Sequence, residues 1–285
     1  MRQPFELDWL GGPSERAFRS LRPGIEDFPW GTLDPSRYPP SLLARAQVSW
    51  TEAAWNEYCT AAAFTDLLRA LLEARAPIDL TGMASDFVVD EMLHVELTSR
   101  VAMELGGGAP YRVDFERLTL PTTPGLNAFE RANEQVVRTC CVAEAFSVPM
   151  LATCMKSAAH PLTRAVLEQI VKDEAPHGRF GLHYLEWAGN FMTPKERERL
   201  AEVALGMLRH YAPFWAKLAS RTDQGRTTEG YSIEHVHELG WAEALTYART
   251  ARQTVRDDIV VPLASFGIVL DEEAVEELLD RGALH

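Results

Sequence analysis

The stretch VVDEMLHVE, Val88 to Glu96, and the stretch IVKDEAPHGRF, Ile170 to Phe180, decide the reading of this chain. Each contains the word Asp-Glu-x-x-His: Asp90, Glu91 and His94 in the first, Asp173, Glu174 and His177 in the second. A chain with 27 glutamates and eight histidines yields about one bare Glu-x-x-His by chance. A third copy, Glu234 to His237, is that background: Ile233 stands where the Asp would, and the stretch reads as a polar surface pattern. Requiring the Asp lowers chance occurrence to about one chain in twenty-five, and two copies are much rarer.

Helical periodicity places both words toward a core. Residues on one helix face recur at i+3, i+4 and i+7. Phe87, Glu91, His94, Val95, Thr98 and Ala102 share one face; Leu167, Ile170, Val171, Glu174, His177 and Gly181 share the other. A buried carboxylate is costly unless a cation or a metal balances it. A Glu and a His one turn apart can hold one ion through oxygen and nitrogen, and two facing pairs can hold two. The same test on neighbouring segments adds Glu57, aligned with Trp50, Ala53, Ala61 and Phe64, and Glu144, aligned with Val137, Cys141, Val148 and Leu151. Glu52 falls on a more polar face, whereas Glu134 lies on the Glu144 stripe and rivals it.

Around these segments the chain reads as helices. Ser41–Arg75 is closed by Pro77, and Gly82–Leu105 is ended by Gly106, Gly107 and Gly108. A Pro- and Thr-rich loop to Gly125 has room for a short strand within Tyr111–Leu120. Leu126–Ala159 forms a third helix with a kink at Pro149, and Pro161 opens a fourth that runs to about Gly189. Pro176, inside the second word, is expected to kink that helix and open a coordination position. Thr193, Pro194 and Glu196 form a capping box for a fifth helix to about Ser220. Arg221–Gly230 reads as a loop, Ser232 to about Val261 as a sixth helix, and Asp271–Leu279 as a seventh with Asp271 as N-cap. Residues 1–40, with seven prolines, read as an irregular arm wrapping the body. The expected organisation is the arm (1–40), a helical core (41–190) and additional C-terminal helices (191–285), in a single domain.

Bulk properties bound the function. A net charge of −13 argues against a nucleic-acid surface or an anionic membrane as partner. The N-terminal sequence lacks a signal-peptide pattern, and the late apolar stretch Ile259–Leu270 is too short to span a bilayer. Cys59, Cys140, Cys141 and Cys154 show no CxxC spacing and read as reduced thiols of a cytoplasmic protein.

The order Glu57, Glu91 with His94, Glu144, Glu174 with His177 resembles the ferritin-like di-iron carboxylate superfamily, across about residues 45–190. The spacing fits: 34 residues from Glu57 to Glu91, 50 from His94 to Glu144 and 30 from Glu144 to Glu174 leave a long crossover in the middle. The resemblance implies an all-α, four-helix di-metal core. Those six residues would be ligands to two Fe ions; Mn or a mixed Mn/Fe pair fits the same donors. It further implies that Asp90 orients His177 and that Asp173 orients His94. The expected activity is that of a non-haem di-iron oxygenase or oxidase acting with O2 on a small organic substrate, a biosynthetic one among them. It would need an external electron donor, since nothing in the chain resembles a flavin or Fe–S domain. A homodimer is compatible with these features. The alternatives are a ferroxidase or a di-manganese, catalase-like peroxide scavenger. The arylamine N-oxygenase branch carries an additional His where this chain has Ile170, so its diagnostic ligand is missing.

Overall fold

The computed structural model describes residues 1–216, 225–227 and 229–280. Helix accounts for 72% and strand for 2%, so the chain is all-α. In chain order, the elements that build the centre are α1 (Gly12–Leu21), α2 (Pro40–Glu73), α3 (Ile78–Glu104), α4 (Ala128–Val136), a π-helical segment (Val137–Glu144), α5 (Ala145–Ser157) and α6 (Pro161–Ala188). They are followed by α7 (Pro194–Ala216), α8 (Ile233–Glu238), α9 (Ala244–Thr254), a second π-helical segment (Val255–Val260), α10 (Val261–Ser265) and α11 (Glu272–Asp280).

Short connections make α2 and α3 one hairpin, and α5 and α6 another. Helix α2 closes with Arg75 at φ 55°, where Ala76 N–H returns to the Leu71 carbonyl at 3.0 Å. Helix α3 starts directly after Pro77, four residues before the expected Gly82, because a helix tolerates Pro just ahead of its first turn. The hairpins meet where α2 packs on α4 and α3 packs on α6. Asn127 and Glu130 form a reciprocal capping box that opens α4.

The hydrophobic core divides into two clusters, and the helices that carry the words run through both. Trp50, Leu93, Leu97 and Ile170 belong to one; Phe64, Phe87, Phe180 and Tyr184 belong to the other. On α2, Trp50 and Phe64 flank Glu57; on α3, Phe87 and Leu97 flank Glu91 and His94; on α6, Ile170 and Phe180 flank Glu174 and His177. A polar layer therefore separates two apolar ones.

Several boundaries differ from the sequence reading. The N-terminal arm is not wholly irregular: it holds α1, two 3₁₀ turns and the strand Gln3–Pro4 (β1). Its strand partner is Arg112–Val113 (β2), all that forms of the strand expected within Tyr111–Leu120. The third helix is one run only by passing through the π segment. Helix α6 agrees with the reading, running from Pro161 through Pro176 to Ala188. The Thr193 box is half formed: its hydroxyl accepts the Glu196 N–H at 3.2 Å, but the Glu196 carboxylate turns to Asn133 and Arg199 instead.

The expected sixth helix is broken after Glu238, where Gly240 takes φ 92°. A Cβ there would lie 3.0 Å from the Trp50 ring and 3.3 Å from Thr163 Cβ, so the turn seats against α2 and α6 only with glycine. Asp271 caps α11 as expected, accepting the Ala274 N–H at 2.7 Å. The end of the fifth helix beyond Ala216, and residues 221–224 and 228 of the expected loop, lie outside the described residues.

The run Ala128–Ser157 is long and apolar enough to cross a membrane by length and composition, a property the sequence reading did not assign to it. Half of its apolar window is buried inside the protein. All four cysteines are free thiols, with Cys140 and Cys141 buried.

Candidate metal centre

The six residues singled out by the stripe test come together. Glu57, Glu91, His94 and Glu174 place ligand atoms within 4.8 Å of one another, and so do Glu91, Glu144, Glu174 and His177. Glu91 and Glu174 belong to both groups. Glu174 Oε1 lies 3.2 Å from His94 Nδ1, and Glu174 Oε2 lies 2.9 Å from His177 Nδ1. Glu91 mirrors this, with Oε1 3.1 Å from His177 Nδ1 and Oε2 3.9 Å from His94 Nδ1. Each word thus offers one carboxylate that spans the two imidazoles. Oxygen and nitrogen ligands about 2.1 Å from one ion, at right angles, lie about 3 Å apart, close to the shorter of these separations.

Burial gives a test of fit that does not depend on resemblance. Glu91, His94 and His177 are wholly buried, and Glu174 and Glu144 nearly so. Both Glu91 oxygens, both His94 nitrogens, Glu174 Oε2 and His177 Nδ1 are buried with no hydrogen-bond partner among the described residues. The facing atoms lie at ion-pair distance but are misaligned for hydrogen bonding. Groups this polar are rarely left so in a protein interior, and a shared cation would satisfy all of them but His94 Nε2, which faces Asp173. The cluster could hold a metal ion, and its mixed carboxylate and imidazole donors suit Fe, Mn or Zn.

The electrostatics follow from crowding. Burial, and then the charge of Glu91, holds the Glu57 carboxyl well above the carboxylate range; burial and Glu174 do the same to Glu144. Burial by itself would lower both imidazoles. The carboxylates facing them override it, raising His94 well above its ordinary value and pushing His177 up to about 12. Burial would likewise raise Glu174, but the two histidines pull it below the carboxylate range.

Behind each imidazole stands the Asp of the opposite word. His177 Nε2 is 3.4 Å from Asp90 Oδ2, and His94 Nε2 is 3.5 Å from Asp173 Oδ2, the pairing expected from the resemblance. The two Asp residues are held differently. Asp173 accepts from Gln169 Nε2 at 2.9 and 2.7 Å, from one turn earlier on α6. Asp90 accepts from Arg22 Nε at 2.7 Å, and Arg22 lies just after α1 in the N-terminal arm. His177 and Arg22 keep Asp90 below its usual range despite its burial.

The structure separates the rivals. Glu52 is exposed. Glu134 is fully buried but faces away from the cluster, accepting from the Thr123 N–H at 2.9 Å and pairing with Arg138 at 2.8 Å and with Arg199. His183 and His210 are exposed, and His160 caps α6 by accepting the Leu162 N–H at 3.2 Å. Tyr58 stacks on Trp55 with ring centroids 6.0 Å apart, away from the centre.

Phe64 and Phe87 pack on the His177 ring, with centroids 5.1 and 4.2 Å away. Phe146 lies against Tyr211 of α7 at 5.4 Å. The stripe test missed Arg22, Gln169 and Tyr211. Tyr211 sits close enough to Glu144 that burial first, and that charge second, raise its phenol. None of the three belongs to a repeated word, and only Gln169, at i−4 from Asp173, had a local signal.

Glu144 reaches the cluster because α6 lets the π segment approach. A Cβ on Gly181 would lie 2.6 Å from Cys141 Sγ and 3.1 Å from its backbone N; one on Gly178 would lie 3.2 Å from Val148. The two glycines, one turn apart on the His177 face, form the seat of Glu144 and Cys141.

Comparison of the chain with protein-family models, with curated proteins and with solved structures gives no match.

Proposed function

We propose that this protein is a ferritin-like, O2-activating, non-haem di-metal oxidoreductase acting on a small organic substrate. One observation carries the reading: two four-residue donor groups, joined by Glu91 and Glu174, with buried donor atoms that have no hydrogen-bond partners among the described residues. In this reading Glu57 and His94 would hold one ion and Glu144 and His177 the other, with Glu91 and Glu174 belonging to both donor groups. Two Fe(II) ions so held would supply electrons for reducing O2. The chain's own residues exclude water around the ions with Phe64, Phe87 and Phe180, and orient the imidazoles through Asp90 and Asp173. Glu57, whose side chain keeps 15% of its surface exposed, is the ligand most open to solvent.

Four carboxylates and two divalent ions are nearly neutral together, which is why such a cluster tolerates burial. Anaerobic loading with Fe(II), desalting and metal analysis test the first half of the proposal. Close to two irons per chain is expected; zero or one in a folded protein sinks it. O2 uptake by the loaded protein, given a reductant and candidate small organic substrates, tests the second half. Size separates the ferroxidase reading: a storage cage elutes as a very large particle, and this chain is expected not to.

A further inference from the structure

The two halves of the centre are alike in their ligands and unlike in what stands behind them. On the His94 side the support is local, Gln169 reaching Asp173 within α6. On the His177 side it comes from far along the chain: Arg22 Nε binds Asp90 at 2.7 Å while Arg22 Nη2 binds Asp86 at 2.7 Å. Arg22 therefore clamps two α3 carboxylates one turn apart.

The arm is fastened on both sides of Arg22. Arg19 pairs with Glu96 of α3 and with Glu26. Arg100 of α3 binds Glu26 at 2.9 Å and lies 3.9 Å over the Trp30 ring. Gly31 N–H donates to Glu104 at 2.7 Å, and Ile25 is buried in the same core cluster as Leu93. A charged side chain held this way has little freedom, and an Asp fixed by it presents its other oxygen to the His177 ring in one orientation.

Resting on the di-metal reading, we propose that Arg22 is a positioning residue. Through Asp90 it fixes the ring of His177, so that the N-terminal arm completes one of the two ion sites and leaves the other independent of it. The two positions are then inequivalent, and the state of the arm selects how tightly the second ion is held. Removing the partner behind a ligating histidine typically weakens metal binding by about 10–100-fold.

The test titrates Co(II) anaerobically into the full-length chain, followed by the visible spectrum and by competition with a chelating dye. Wild type is expected to bind two Co(II), and Arg22→Ala to bind one as before and the other more weakly, by up to the about 10–100-fold that loss of Asp90 itself would cause. Arg22→Lys, which keeps a donor and a charge, recovers much of the loss, and Gln169→Ala weakens the opposite ion. Two backgrounds assign the site. With His94→Ala, where the His177 site remains, Arg22→Ala weakens the surviving ion; with His177→Ala it does not.

Unchanged binding of both ions in Arg22→Ala overturns the proposal. So does equal weakening of both ions, or the same loss in the His177→Ala background. A wild type that takes fewer than two ions overturns the di-metal reading, and this inference with it. Far-UV circular dichroism checks folding; should Arg22→Ala unfold, Arg22→Gln in the same two backgrounds decides the question by the same criteria.

Discussion

Glu144 and Glu134 show how much one side chain's surroundings decide. Both are buried carboxylates on one continuous helical run. Glu134 is balanced by Arg138 and Arg199, whereas Glu144 has no arginine beside it among the described residues and faces Glu174. Substituting them should therefore give opposite results. Glu144→Ala is expected to bring the iron content down from two toward one with a modest change in stability. Glu134→Ala is expected to keep two irons and to cost about 3 kcal/mol, because it strands two arginines beside a buried cavity. Metal analysis and urea unfolding of the two variants check this; loss of iron in Glu134→Ala alone would reverse the assignment. Proton counting is the second test at this scale. Glu57, Glu144, His94 and His177 all hold their protons above their ordinary ranges in the metal-free protein, and ligands must give them up. Adding a divalent metal at neutral pH in weak buffer should release up to about four protons per chain. A pH-indicator dye that reports none would sink the ligand assignment.

The π-helical segment Val137–Glu144 is what separates those two carboxylates. An α-helix keeps Glu134 and Glu144 on one stripe; a π segment adds residues to the turn and rotates the helix beyond it. Glu144 is thereby delivered toward α6 while Glu134 remains turned to α7. The glycine seat on α6 makes that delivery possible, since any Cβ at Gly181 meets Cys141. Gly181→Ala is expected to destabilise the protein by about 1–3 kcal/mol and to lower iron binding by displacing Glu144. Cys141→Ala added to it should recover part of both, because the nearest obstacle is the sulfur. Urea unfolding and metal analysis of the single and double variants decide this; an additive double variant would show that the sulfur is not the obstruction.

For the molecule as a whole, the centre is a trade between charge and order that a metal reverses. In the metal-free protein His94, His177, Glu57 and Glu144 have raised folded-state values. Their contribution to stability is full at low pH and is lost as pH rises, beginning near pH 4.5 for the carboxyls and near 6.5 for the imidazoles. Glu174, held low, works the other way, but below pH 4.5. The chelator-treated protein should therefore melt at a lower temperature at pH 8 than at pH 6. Metal competes with protons for the same atoms, so the stabilisation it brings should grow over that interval. Thermal melts at the two pH values, with and without Fe(II) or Mn(II), check the sign; a metal-free form that gains stability toward pH 8 would contradict it.

The sequence by itself determined the all-α class, the helical hairpins and five of the residues that meet at the centre, with Glu144 left beside its rival Glu134 on one stripe. It could do so because each of those facts is local: a 3.6-residue period, a Pro or Gly at a helix end, a Glu and a His one turn apart beside an Asp. The choice of Glu57 over Glu52 was equally legible, since facing is set within two turns of helix. Tertiary structure decided the rest. The π segment, the break at Gly240 and the seat at Gly181 arise from close approach between helices distant in sequence, which no single periodicity encodes. Arg22 is another such case: 68 residues separate it from Asp90, and nothing near it in the chain marks it. Its role exists only because the arm docks on α3, where burying Ile25 and pairing Arg19 and Arg100 with acidic partners bring a guanidinium to the back of the centre.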